Sequence, residues 1–348
     1  MRKLAHIERV TNIRPIEGAD RIEQVNVLGW NVVIKKGEFK EGDKCVYIEI
    51  DSICPDKPHF EFLRDRNFKV KTIKLKGVVS QGLILPLSIL PKGDYVVGDD
   101  VTEVLGITKH DDSEINTFPN RPVKKYKWFK RLWYKFFHKK KKKSSFPSWV
   151  KKTDETRIQN MPHILNHGGK FVVTEKVDGC SATFTLRKKL FGFEYLVCSR
   201  NRVADKNSAY TEISEKYRIE EVLKSIYKQL GGKYKYLTIQ GEIVGPRIQG
   251  NKYNLEEYDL YVFNFLVGGK LLPTPQTHHL MRIFGIKHVP ILGLIELPNT
   301  VDEMVKLADG TSQLYNTPRE GLVLRYNSPK DDVSFKVISI EFLLKHKI

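Results

Sequence analysis

The chain has 348 residues, 41% of them hydrophobic, enough for two domains with sizeable cores. Its formal net charge of +18 makes an acidic polymer or surface the expected partner. Four scattered cysteines, Cys45, Cys54, Cys180 and Cys198, form no Cys-x-x-Cys pair, which excludes zinc sites and a disulfide frame and reads as reduced intracellular thiols. No apolar run is long enough to span a membrane, and Met1 to His6 do not begin a signal peptide. The expected location is the cytoplasm.

In chain order, residues 1–110 read as an all-β module. Short strand candidates alternate with turn signals at Gly18-Ala19-Asp20, Gly29, Lys36-Gly37-Glu38, Glu41-Gly42-Asp43 and Pro91-Lys92-Gly93-Asp94. The stretch Ile16 to Ile22 followed by Gly29, Val32-Val33 and Gly42-Asp43 resembles OB-fold tRNA-binding domains found beside some tRNA synthetases, and Lys76 to Leu83 is similar to their closing strand. OB barrels bind single-stranded or junctional nucleic acid; the competing reading is a barrel that braces a catalytic domain.

Residues 111–148 form a linker. Its part from Lys124 to Lys143 holds ten lysines and Arg131 with no acidic residue, +11 of the +18. On a helix, Trp128, Phe129, Leu132, Trp133, Phe136 and Phe137 would share one face. Packing on the protein itself, a clamp on an RNA backbone and an amphipathic helix on an anionic membrane all fit, and Lys139 to Lys143 also suit a nuclear address.

Residues 149–348 carry the chemistry. Phe171-Val172-Val173-Thr174 reads as a strand that delivers Glu175-Lys176-Val177-Asp178-Gly179 to a tight turn. Beyond the turn, Cys180, Ala182, Phe184 and Leu186 alternate with Ser181, Thr183, Thr185 and Arg187. Lysine is a nucleophile only when deprotonated, so desolvation, neighbouring cations or a divalent metal must favour its neutral amine. Alone, Lys-x-Asp-Gly is also a surface lysine in a turn. Further along come Ser199-Arg200-Asn201 after a strand from Tyr195, Gln240-Gly241-Glu242 in a strand from Tyr236 to Val244, and Tyr261-Val262-Phe263-Asn264 in a buried apolar run. Arg319-Glu320-Gly321-Leu322-Val323-Leu324-Arg325 and Ser334-Phe335-Lys336-Val337-Ile338-Ser339 close the series. Between them Glu212 to Leu230 reads as one helix stopped by Gly231-Gly232, and the adjacent His278 and His279 read as helix-surface residues.

This ordered set resembles motifs I, Ia, III, IIIa, IV and V of the covalent lysyl-nucleotidyltransferase superfamily, which includes ATP-dependent RNA and DNA ligases and mRNA capping enzymes. The likeness is greatest to RNA ligases with an N-terminal OB domain, the Naegleria and Deinococcus type, to which Lys152 to Gln159 and Phe342 to Lys345 also point. The resemblance implies an α+β fold: an N-terminal all-β OB barrel, then a nucleotidyltransferase (ATP-grasp-like ligase) domain of antiparallel sheets flanked by helices.

It implies roles as well. Lys176 attacks the α-phosphorus of ATP; Glu175, Arg200, Glu242 and Phe263 bind the nucleotide, with Glu242 on a ribose hydroxyl and Phe263 stacked on adenine. Asp178 is catalytic, Glu320 holds Mg2+ or Mn2+, and Lys336 contacts the phosphates. The expected enzyme is a monomeric ATP-dependent RNA ligase that joins 3′-hydroxyl and 5′-phosphate ends, in a nicked duplex, through lysyl-AMP and an adenylylated 5′ end. Its partner is RNA. A DNA ligase or a guanylyltransferase is the enzymatic rival, although each usually carries its OB domain after the catalytic one; a non-catalytic tRNA- or RNA-binding protein is the rival of another class. Two positions depart from the pattern: Ser334 stands where many relatives have a first lysine, a role Lys330 could take, and Asn264 stands where aspartate is common.

Overall fold

The computed structural model describes residues 3–109, 145–328 and 333–348. The lysine-rich run from Lys124 to Lys143 and the candidate Lys330 lie outside the described residues. The described residues gather into two compact units, one drawn from Met1–Asp111, Glu155–Lys176 and Ile291–Ile348, the other from Asp112–Asp154 and Val177–Pro290.

The N-terminal part is the expected barrel. Its strands are β1 (Ala5–Pro15), β2 (Ile22–Val27), β3 (Trp30–Lys35), β4 (Lys44–Ile48), β5 (Ser52–Ile53), β6 (Ile73–Leu75), β7 (Val78–Ser80), β8 (Leu83–Leu85) and β9 (Thr108–Lys109). The main sheet runs β3-β2-β1-β4-β8. The long β1 serves two partners: its first half pairs with β4, its second with β2, and the register with β2 shifts at an irregularity between Thr11 and Arg14. In β3 alternation is strict, Trp30, Val32 and Ile34 inside and Asn31, Val33 and Lys35 outside. The strand expected from Lys76 to Leu83 is instead two, β7 and β8, interrupted at Gln81-Gly82. Gly82 takes a φ of 95° at the break, and only glycine fits there, because a Cβ would lie 2.5 Å from the Tyr47 ring.

The rest of the chain supplies β10 (Lys170–Lys176), β11 (Cys180–Lys188), β12 (Phe193–Cys198), β13 (Tyr236–Val244), β14 (Asp259–Val267), β15 (Lys270–Leu271), β16 (Ile291–Glu296), β17 (Gly321–Tyr326) and β18 (Ser334–Ile338). They form two antiparallel sheets, β16-β10-β17-β18 in the first unit and β12-β11-β13-β14-β15 in the second. In the first, Phe171, Val173, Leu322, Leu324, Phe335 and Val337 build a core with Met304 and Val305 of the helix Val301–Ala308. In the second, Ala182, Phe184, Leu186, Ile239 and Val262 pack on flanking helices. Where one helix was expected from Glu212 to Leu230 there are two, Ala209–Lys216 and Ile219–Gln229. Arg218 between them adopts a left-handed φ of 49°, and Ser208 caps the first with a capping box, so the chain restarts rather than continues. His278 and His279 are exposed on the helix Thr274–Ile283.

The first unit joins barrel and sheet through buried polar groups. Arg157, 7% exposed, pairs with Asp51 at 2.7 Å. Asn160 accepts from the Trp30 indole at 2.6 Å and donates to Glu49 at 2.5 Å. Gly29, at the tip of the β2–β3 hairpin, donates to the Gln159 carbonyl, and a Cβ there would stand 2.9 Å from the Gln159 backbone. Ile338 and Leu343 complete a core cluster of the barrel itself. The barrel therefore braces the β10–β17–β18 sheet. No helix among the described residues is long and apolar enough to cross a membrane.

Candidate active site

Register brings the first unit's reactive side chains together. Lys176, at the end of β10, opposes Gly321, and Gly321 opposes Ile338, while Val323 opposes Lys336 and Arg325 opposes Ser334. Cross-strand partners share a face and alternate residues return to it, so Thr174, Lys176, Arg325, Ser334 and Lys336 all stand on one side of the sheet. Gly321 is required between them: a Cβ would lie 2.1 Å from the Val337 carbonyl. Lys176 Nζ donates to Glu320 Oε2 at 2.6 Å, with side chains 24% and 14% exposed. An amine must give up a proton to become a nucleophile, and this carboxylate is within reach of it. The Lys336 N–H donates to the Thr156 carbonyl at 2.8 Å, which ties its strand to the segment before β10.

Glu175 goes elsewhere. One residue before Lys176, its carboxylate turns to the opposite face, 1% exposed, and accepts from Ser312 Oγ at 2.5 Å and the Gln313 N–H at 2.8 Å. Its side chain anchors β10 to the 312–313 loop.

The second unit carries the other expected residues. Gly179 lets the turn pass against β13, since a Cβ would meet the Ile243 carbonyl at 2.3 Å. Asp178 is fixed twice: its carboxylate accepts from Lys252 Nζ at 2.6 Å, and its N–H donates to Tyr253 Oη at 2.8 Å. Glu242, half-buried on β13, accepts from Ser181 Oγ at 3.1 Å. Arg200 pairs with Asp154. Phe263 sits at a register shift, where Gln240 opposes Asn264 but Gly241 opposes Val262, leaving Phe263 as the extra residue of a bulge. The bulge re-aims its ring, which is half-buried while its neighbours Val262 and Phe265 join the core. Asn264 is buried and donates to the Gln240 side chain at 3.0 Å.

Lys252, Tyr253 and Ser312 had no signal in the sequence, because they come from irregular loops with no periodicity. Asn251 and Asn254, both at positive φ around Lys252-Tyr253, are the trace such a tight loop leaves.

A barrel followed by two antiparallel sheets, with a lysine beside a carboxylate at the end of a strand, defines a nucleotidyltransferase-type ligase. Comparison with known proteins agrees. An OB-fold domain model matches residues 4–87, and an RNA ligase model matches residues 169–338. Naegleria gruberi RNA ligase with pyrophosphate is 35% identical, at a TM-score of 0.83, covering 100% of this chain and 99% of that one. A variant of that ligase with ATP and manganese is 34% identical, at a TM-score of 0.83 and full coverage of both chains. Another, with AMP and manganese, is 35% identical, at a TM-score of 0.82 and 99% coverage of each. No curated protein sequence matches. The chain belongs to the RNA ligase family, in the form that carries an N-terminal OB fold.

Proposed function

We propose that this protein is an ATP-dependent RNA ligase that works through a lysyl-AMP on Lys176 and an adenylylated 5′ end, and seals nicks in duplexes whose 3′-hydroxyl strand is RNA. The observation that carries the reading is Lys176, within 2.6 Å of Glu320, on the sheet face it shares with Lys336. In the first step the deprotonated Lys176 amine attacks the α-phosphorus of ATP. The N–P bond forms, the bond to the bridging oxygen breaks with its electron pair, and pyrophosphate leaves. AMP then passes to a 5′-phosphate, and the 3′-hydroxyl displaces it. Lys336 neutralises charge developing on the phosphates. Glu242 holds the ribose, Phe263 stacks on adenine and Arg200 contacts the nucleotide. Asp178, oriented by Lys252 and Tyr253, serves the later steps.

The donor set suits Mg2+ or Mn2+. Among the described residues no group of three or more His, Cys, Asp or Glu could form a metal cage, while Glu320 offers one carboxylate. Glu320 would hold such an ion directly or through water. When bound it supplies charge neutralisation at the phosphates. The same reading has the enzyme act as a monomer inside the cell, with the barrel ending near residue 110 and the catalytic domain beginning near residue 149.

Incubation with α-labelled ATP or GTP and magnesium or manganese tests this. Wild type should take up AMP covalently and Lys176→Ala should not, although that variant should still seal RNA already carrying a 5′-adenylate. Label from GTP would replace the reading with capping chemistry. No label from either, or sealing of unadenylated ends by Lys176→Ala, would overturn it.

A further inference from the structure

We propose that one end of the second unit's sheet is a docking surface for an anionic lipid bilayer, with Leu190 and Phe191 entering the interface and the lysines around them meeting the headgroups. Leu190 and Phe191 form the tip of the β11–β12 hairpin, where Lys188 opposes Phe193 and the Lys189 N–H donates to the Gly192 carbonyl at 3.1 Å. They are 89% and 90% exposed, the highest values of any large hydrophobic residue among those described. Turn chemistry does not ask for them: tight hairpins favour Asn, Asp and Gly at the tip, and Gly192 already supplies a positive φ of 76°. Two adjacent apolar side chains held out in water by a paired hairpin gain nothing from the fold, which points to a partner that covers them.

The charge around the tip gives the chemistry of that partner. Arg187 opposes Tyr236, and Leu237 opposes Val267, which opposes Lys270 in turn. The hairpin tip, the segment leading into β13 and the β14–β15 turn therefore lie at the same end of the sheet. Residues 187–193, 228–236 and 267–271 contain no Asp or Glu. Lys188 and Lys189 flank the tip, Lys233 and Lys235 enclose the exposed Tyr234, and Lys270 stands on the last turn, all of them exposed. Lys189 pairs with Glu194 at 3.0 Å, and Lys188 lies over the Phe193 ring, 4.9 Å from its centroid. A lysine carries its charge on a long apolar stem, so it reaches the phosphate layer while side chains ahead of it enter the acyl boundary. An RNA backbone would meet the cations but offers Leu190 no apolar layer, whereas a bilayer interface takes both. β11 sets its last residue, Lys188, about 26 Å from Cys180 beside the Asp178 turn, so docking leaves Asp178 and Glu242 uncovered.

The test is partitioning of the full-length protein onto vesicles of phosphatidylcholine with or without phosphatidylserine, so that the Lys124 to Lys143 run is present in every arm. Wild type should bind the anionic vesicles. Leu190→Glu with Phe191→Glu should weaken that binding by about tenfold or more, the scale of withdrawing one apolar side chain from the interface. Lys233→Gln and Lys235→Gln should each cost about fivefold, as loss of one cation at an anionic leaflet does. Thermal melting should be unchanged in every variant, which separates lost docking from lost fold. Because the four native cysteines are buried, an environment-sensitive dye on Lys189→Cys reports the tip alone, and its emission should shift to the blue on anionic vesicles. Equal partitioning of wild type and the double variant, or a dye whose emission stays that of water, would overturn the proposal. So would a loss confined to duplex RNA affinity, which would make the tip an RNA contact, or dispersal of a wild-type dimer by the double variant, which would make it a self-association surface.

Discussion

The two sheets of the catalytic half use the same pleat for opposite purposes. On the first, β10, β17 and β18 bury Phe171, Leu322, Leu324 and Phe335 and turn Lys176, Arg325 and Lys336 to the other side. On the second, β11, β13 and β14 bury Phe184, Ile239 and Val262 on one face and carry on the other Ser181, Thr183, Thr185, Gln240 and Glu242, hydroxyls and amides with one carboxylate, of which Thr183, Thr185 and Gln240 are themselves buried. A cationic face suits phosphates, and a neutral face with a single acceptor suits the uncharged base and sugar. Under the function proposed above, the contrast divides the work: the first sheet would serve bond making and the second recognition.

Variants of each sheet can break that division. Lys336→Ala should reduce label transfer at saturating ATP by about 100-fold or more, as loss of transition-state charge stabilisation does. Phe263→Ala should instead raise the half-saturating ATP concentration by about tenfold, the free energy of one base-stacking contact, and leave the saturated rate within a factor of a few. A rate effect without a concentration effect at Phe263 would erase the distinction. Gly321→Ala and Gly179→Ala put a Cβ into the Val337 and Ile243 carbonyls respectively. Each should cost about 3 kcal/mol in urea unfolding, because backbone at such distances must move.

Smaller effects sharpen the picture. Asn160→Ala leaves the buried Glu49 carboxylate short of a donor and should cost about 2 kcal/mol. An unchanged denaturation midpoint would show that this bond does not secure the barrel. Smallest is a pH effect. Burial pushes the Cys45, Cys54 and Cys198 thiols up to about 12. Folded protein then holds these protons where unfolded chain releases them, so their contribution is fully present below about pH 9 and declines as pH rises toward 12. At pH 8 a thiol reagent should label native protein far more slowly than denatured protein; equal rates would contradict the burial.

Much of the catalytic half was legible from residue types. The alternation of Ser181 to Arg187 is the pleat of β11, and Tyr236 to Val244 is the full extent of β13. Period-two patterning is a local consequence of one buried face, so it survives in the sequence. The turn glycines of the barrel were readable for a similar reason: Gly18, Gly37 and Gly42 take positive φ, which few other residues tolerate. The barrel's closing strand and the long helix were read as continuous because neither the Tyr47 ring under Gly82 nor the left-handed Arg218 is visible locally.

The sequence by itself determined most of the elements, the order of the chemical residues and the choice of Lys176 as the nucleophile proposed here, since each depends on local composition and spacing. Tertiary structure decided which of those residues share a face. Strand register set Arg325 across from Ser334 although eight residues of chain separate them, turned Glu175 away from its neighbour Lys176, and made Phe263 the bulged residue. It also enlisted Lys252 and Tyr253 for Asp178 and fastened the barrel through Arg157 and Asn160. These are pairings between distant segments. They follow from closing loops and satisfying buried polar groups in three dimensions, which no local pattern records.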